Sequence, residues 1–205
     1  MRTKQILLFG LVTCSLTGNM ACKDADSEKT LCIDNVRMIS RVTGDPLPGD
    51  TLLNPNNTGP DFDVYGKDLG LMWHMDGNRV GMFFGDTSGE GFVVNKNGGN
   101  GSNWRSNVLA FSSDTELTDG LKIDSMLLDA DGKALEVCAG GKTNPEVYQT
   151  SIPTSAIRAG KTDCVHIMNI YDWGAPHGRW LTNFSSVYTS NDDGRTWERR
   201  EEVTF

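Results

Sequence analysis

Beyond residue 60 the chain alternates between short apolar runs and turn-forming clusters. The runs fall at 69–74, 79–84, 91–94, 108–112, 123–128, 164–171, 180–188 and 198–205. Between them stand Asp76-Gly77-Asn78, Asn97-Gly98-Gly99-Asn100-Gly101, Thr118-Asp119-Gly120, Asp129-Ala130-Asp131-Gly132 and Asp192-Asp193-Gly194, residue types that supply positive φ or bond their own backbone in turns. Asp76-Gly77-Asn78 between two runs predicts a tight hairpin. No segment keeps a 3.6-residue apolar period long enough to require a helix, and residues 154–158 would make one helical turn at most. The expected fold is all-β, in four-stranded units; periodicity alone leaves a sandwich and a propeller both open.

The first sixty residues read differently. Arg2 and Lys4 precede an apolar run over 6–12, and small or polar residues follow up to Ala21. The run is shorter than the roughly 20 residues a spanning helix needs, so residues 1–21 read as a signal peptide. Met20-Ala21-Cys22 suits cleavage and lipidation at Cys22, with Cys14 as the rival acceptor, and Lys23-Asp24-Ala25-Asp26 resembles the acidic export signal of surface lipoproteins. An ordinary cleaved signal gives the same extracytoplasmic, secreted or periplasmic compartment without the anchor at an outer membrane or cell surface. Residues 22–60, rich in Asp, Asn, Pro and Gly, read as a polar tether and lead-in with a first edge strand, and 61–205 as the folded domain.

A formal net charge of −8 without a basic cluster argues against nucleic acid or an anionic bilayer as partner and leaves a lipid as the only membrane attachment. A neutral glycan suits this charge better. With Cys22 lipidated, Cys32, Cys138 and Cys164 remain, an odd number. Cys138 and Cys164 are placed to pair across neighbouring strands. No Cys/His spacing marks a metal or cofactor, although a structural calcium in a propeller channel would leave little trace in a sequence.

The most specific local motif is Ser190-Asn191-Asp192-Asp193-Gly194-Arg195-Thr196-Trp197. Ser-x-Asp-x-Gly-x-Thr-Trp is the Asp-box pattern of a hairpin between outer strands of a propeller blade. Asp192 would accept N–H groups of the turn, Gly194 would take positive φ, Ser190 and Thr196 would satisfy the strand ends, and Trp197 would cover the apolar layer. Its message is architectural rather than catalytic.

Four further stretches stand in order: Tyr65-Gly66-Lys67-Asp68-Leu69-Gly70, Phe83-Phe84-Gly85-Asp86-Thr87, Trp104-Arg105-Ser106-Asn107-Val108-Leu109-Ala110, and Ser151-Ile152-Pro153-Thr154-Ser155-Ala156-Ile157. Followed by Trp173-Gly174 and the box, they resemble the family known as domain of unknown function 4185, over about Asp61 to Phe205. The resemblance implies a five-bladed β-propeller and glycoside hydrolysis, with endo-D-arabinanases acting on cell-wall arabinan among the family. Lys67 stands where Thr is usual, and Ser155 where Gly is common. About eight candidate strands make two blades or a little more, so the chain reads as the front of a longer product.

Glycosidic cleavage needs two carboxyl groups across the scissile bond. The resemblance points to Asp68, opening one strand, and Asp86, closing its hairpin partner, as the catalytic pair, with Asp61 and Asp63 in reserve. The alternative for Asp86 is a turn cap. Trp104, Arg105 and Asn107 offer a ring to stack on a sugar and donors for hydroxyls, and His177 lies in a loop that could touch ligand. The other reading puts Trp104 in the core. A non-catalytic glycan-binding propeller, or an inactive fragment, remains the alternative to the hydrolase.

Overall fold

The computed structural model describes residues 33–46, 48–95, 98–174 and 179–205. The expected signal peptide, Cys22, Cys32 and His177 lie outside the described residues. Two compact units divide the chain, Met1–Arg37 and Met38–Phe205. Residues 33–37, the described part of the first, have no regular structure.

The second unit contains α1 (Thr58–Phe62), β1 (Gly66–Lys67), β2 (Leu71–His74), β3 (Val80–Phe84), β4 (Thr87–Ser88), β5 (Val93–Asn95), β6 (Gly98–Asn100), β7 (Val108–Ser112), β8 (Ser125–Met126), β9 (Thr150–Ala159), β10 (Thr162–Asp172), β11 (Leu181–Ser190) and β12 (Glu198–Thr204). Two four-stranded antiparallel sheets dominate, in the orders β2-β3-β7-β8 and β9-β10-β11-β12. Short ladders β1-β4 and β5-β6 accompany them. The all-β, four-stranded organisation follows the patterning.

Side chains alternate across a strand, and in the first sheet both faces are covered, which is why β3 and β7 read as unbroken apolar runs. Phe83, Leu109 and Phe111 join Trp73, Val165, Ile167 and Tyr188 in a core shared with the second sheet. Met82, Phe84, Val108 and Ala110 face the other way and pack with Val64, Met126 and Ala134, against which Val42 of the lead-in and Phe62 of α1 also lie. Asn56 fastens that lead-in. Its amide donates to Val42 O at 3.0 Å and Leu121 O at 2.8 Å, and its Oδ1 accepts from Ile123 N–H at 2.7 Å.

The join between the sheets is aromatic. Trp73 stacks on Phe83 at 5.6 Å between centroids, and Trp197 meets both edge-on, at 6.1 and 5.3 Å. Trp73 Nε1 donates at 2.9 Å to Asp163 Oδ1, a fully buried carboxylate that also takes Arg158 Nη1 at 2.9 Å. Arg158 Nη2 reaches on to Asp193 at 3.0 Å. A buried indole N–H is thereby satisfied by the sheet it packs on, and the strand arrangement brings β9 beside β2.

Three expectations change. Residues 150–159 form a ten-residue strand, not a helical turn. Pro153 disguised it, since proline donates nothing to a ladder. Here β9 pairs only with β10 and absorbs a bulge beside Pro153. The short helix α1, which no periodicity announced, ends at Asp63 with φ 57°. Cys138 and Cys164 are both free. Cys138 lies in the shared core, whereas Cys164 alternates with core-facing Val165 on β10, so the sheet stands between the two thiols.

The turn at 190–197 is organised around the Asp192 carboxylate. Asp192 Oδ1 accepts from Ser190 Oγ at 2.8 Å, Arg195 N–H at 3.1 Å and Thr196 N–H at 2.9 Å, and its Oδ2 accepts from Thr196 Oγ1 at 2.7 Å. Gly194 has φ 81° and donates its N–H to Ser190 Oγ at 2.9 Å. These donors, Thr196 Oγ1 first, pull the Asp192 carboxyl down to about 2. A depressed carboxyl stabilises the fold above its unfolded pKa and loses that contribution as pH falls toward 2. Asp192→Ala is therefore expected to lower unfolding free energy by about 1–2 kcal/mol at pH 7, as loss of a turn cap does, with the difference from wild type shrinking in urea titrations near pH 2.

Candidate active site

Asp68 follows β1 and Asp86 follows β3, and the backbone brings them side by side. Asp68 N–H donates to Asp86 O at 3.0 Å, and Gly85 N–H donates to Asp68 O at 3.0 Å. A Cβ on Gly85 would stand 2.2 Å from Asp68 Oδ1, so the carboxylate keeps this position only beside a glycine. The two acids therefore share one end of the first sheet, as the hairpin geometry anticipated.

Their environments differ. Asp86 is half-buried and its Oδ1 accepts from Thr150 Oγ1, at the start of β9. Burial pushes its carboxyl up to about 7; the Thr150 bond opposes that shift, while Asp68 and Glu136 add to it. Asp68 keeps a solvent-exposed side. Desolvation still raises its carboxyl, opposed by the Asp86 amide and the Lys67 charge. Two adjacent carboxyls whose surroundings favour unequal protonation are the usual requirement for acid–base work near neutrality.

Beneath them runs a buried polar network that no motif announced. Glu136 accepts from Ser106 N–H at 2.7 Å, Thr143 N–H at 2.9 Å and Thr143 Oγ1 at 2.7 Å, fixing the loop after it. Ser151 Oγ donates to Asn169 Oδ1 at 2.9 Å, and Asn169 Nδ2 donates to Ser186 Oγ at 2.9 Å, across three strands. Isolated polar residues inside apolar strands were the available signal, since a buried polar group requires a partner.

Arg105 and Asn107, expected to meet substrate, sit elsewhere in the logic of the fold. Both are fully buried. Asn107 donates to Cys138 O at 3.0 Å and Ser151 O at 3.1 Å and accepts from Val137 and Cys138 N–H at 3.1 and 2.8 Å, joining β7 to its neighbours. Arg105 donates through Nη2 to Asp63 O at 2.7 Å and faces Asp63 Oδ2 at 3.5 Å. Neither reaches solvent, so both are braces rather than sugar contacts. Asp63, a reserve acid, is committed to Arg105, Asn103 and the Glu90 N–H, while Asp61 is exposed on α1 and bonds Asn57. Trp104 is half-buried, its ring over Gly141. Among the described residues, no cluster of three or more His, Cys, Asp or Glu side chains is arranged to hold a metal ion.

The sequence model of the family described as "Domain of unknown function (DUF4185)" matches residues 54–204. No curated protein matches the chain. Among solved structures, a Bacteroides ovatus protein provisionally described as a hydrolase is similar over 63% of this chain, with 12% identity and a TM-score of 0.39. This chain spans 36% of that protein's length.

A raised acid has the opposite linkage to Asp192. The folded state retains the Asp86 proton to about pH 7, whereas the unfolded chain releases it near 4, so Asp86 destabilises the fold progressively between those limits and throughout the range above them. Asp86→Asn keeps an acceptor for Thr150 without the charge. It is expected to unfold with about 1–2 kcal/mol more free energy than wild type at pH 8, a figure discounted for partial exposure, and to match wild type at pH 4, by urea denaturation.

Proposed function

The chain belongs to the DUF4185 family, and from that premise and its paired acids we propose that it hydrolyses a glycosidic bond in a polysaccharide outside the cytoplasm. The observation that carries this reading is the joining of Asp68 and Asp86 at one sheet end with Asp86 raised to about 7. Asp86 is the general acid: Thr150 holds Oδ1, leaving the second oxygen to carry the proton toward the leaving oxygen. Asp68, exposed and beside Lys67, is the ionised partner that activates water or attacks the anomeric carbon. The two sheets are read as successive blades of a propeller, with β2 and β9 as inner strands and the 190–197 turn as the outer hairpin. Arabinan is the polymer the family resemblance favours.

The test is turnover by the complete protein on D-arabinan, L-arabinan, mannan and peptidoglycan, with product sugars resolved by chromatography. Asp68→Asn and Asp86→Asn should each cut kcat by about 10²–10⁴, and wild-type activity should decline above about pH 7 as Asp86 ionises. The second reading, a non-catalytic glycan-binding module, is favoured by the Thr150 bond, which gives the Asp86 carboxylate a structural partner across the two sheets. Binding without products from any of the four polymers would select it.

The compartment belongs to the same reading, because a polymer too large to import must be met outside. We assign Cys22 as the lipid acceptor. The wild-type protein should partition into detergent with the membrane fraction and Cys22→Ala should release it; recovery of wild type wholly in the cytosol would overturn the assignment.

A further inference from the structure

Leu69, next to the candidate base, holds a conformation that its side chain disfavours. Its φ is 55° and it is about half exposed, at 51%. A γ-branched apolar residue gains nothing from the left-handed region, where Cβ crowds the following carbonyl. Something outside Leu69 must therefore select that geometry. The neighbouring bonds supply a candidate. Lys67 Nζ donates at 2.7 Å to Leu69 O, crossing over Asp68. The same ammonium lies 4.5 Å from the centroid of buried Phe84, at the end of β3. On the far side, Asp68 is held through its N–H to Asp86 O and its carbonyl from Gly85 N–H.

We propose that Lys67 is a positioning residue: its ammonium clasps Leu69 O against the Phe84 ring, fixes the strained turn, and so holds the Asp68 carboxyl over Gly85 beside Asp86. The role rests on the reading of Asp68 as the ionised member of the pair. The charged groups around that carboxyl are Lys67 on its own segment and Asp86 at the end of β3, with Glu136 acting on Asp86 from the loop after β8. Lys67 is the cation among them, and its charge lowers the Asp68 carboxyl while desolvation raises it.

Two readouts, neither requiring a substrate, test the clasp. Amide exchange of Asp68 and Gly85 reports the turn, and carbon-detected titration of the Asp68 carboxyl reports the charge. Lys67→Met keeps the stem over Phe84 and removes the ammonium. It should speed exchange of both amides by about tenfold, the worth of a hydrogen bond, and move the Asp68 titration upward. Lys67→Arg should retain both properties. Adding Leu69→Gly to Lys67→Met removes the conformational strain, so exchange protection should return while the titration stays displaced. Should Lys67→Met not fold, Lys67→Leu, which also lacks a donor, carries the same comparison. Unchanged exchange and an unchanged Asp68 titration in the folded variant would overturn the clasp, as would failure of Leu69→Gly to restore protection. Absence of turnover on every glycan would remove the hydrolase reading and leave the clasp standing on these measurements.

Discussion

The structure depends on the aromatic contact between the two sheets. Trp73, Phe83 and Trp197 come from three separate stretches of chain, and their mutual packing is what makes one core out of two ladders. Each ring removes a large apolar area from water, and edge-to-face contacts add to that burial. The polar tip of Trp73 would be costly in such a place. Asp163 removes that cost, and Arg158 in turn neutralises Asp163. The 190–197 turn matters to this join because it delivers Trp197, whose Nε1 is held by Gly194 O at 3.0 Å.

The candidate site inherits its geometry from that join. Asp86 belongs to the first sheet's end and Thr150 to the second, so the bond between them exists only while the sheets remain in place. Asn107 contributes similarly: bonded to Cys138 and Ser151, it ties the start of β7 to the start of β9 from within the core. The residues facing solvent are few and the residues bracing them are many, the arrangement expected where two acids must hold a fixed relation.

Much of the fold was legible because strand patterning and turn chemistry are local. The hairpin at 76–78 and the 190–197 turn could be read from residue types, since each bond there closes within a few positions. β9 was obscured by Pro153 and a bulge, which break the alternation on which such a reading relies. The sites divide the same way. Asp68 and Asp86 lie in a hairpin whose ends must meet, so their proximity followed from sequence spacing. Arg105 and Asn107 look like ligand contacts by type, but their burial arises from residues 31 to 44 positions away, a separation that no local pattern encodes. Glu136 was missed for the same reason.

The separation of Cys138 from Cys164 by the second sheet also bears on oxidation. Cys138 sits fully buried among apolar neighbours, which push its thiol well up and keep the nucleophilic thiolate scarce. Cys164 faces the opposite side, and burial raises its thiol too. No internal bridge between these two can tighten the fold under oxidising conditions or loosen it under reducing ones. The packed sheets thus keep the same stability across a change in thiol poise, as far as these two sulfurs determine it.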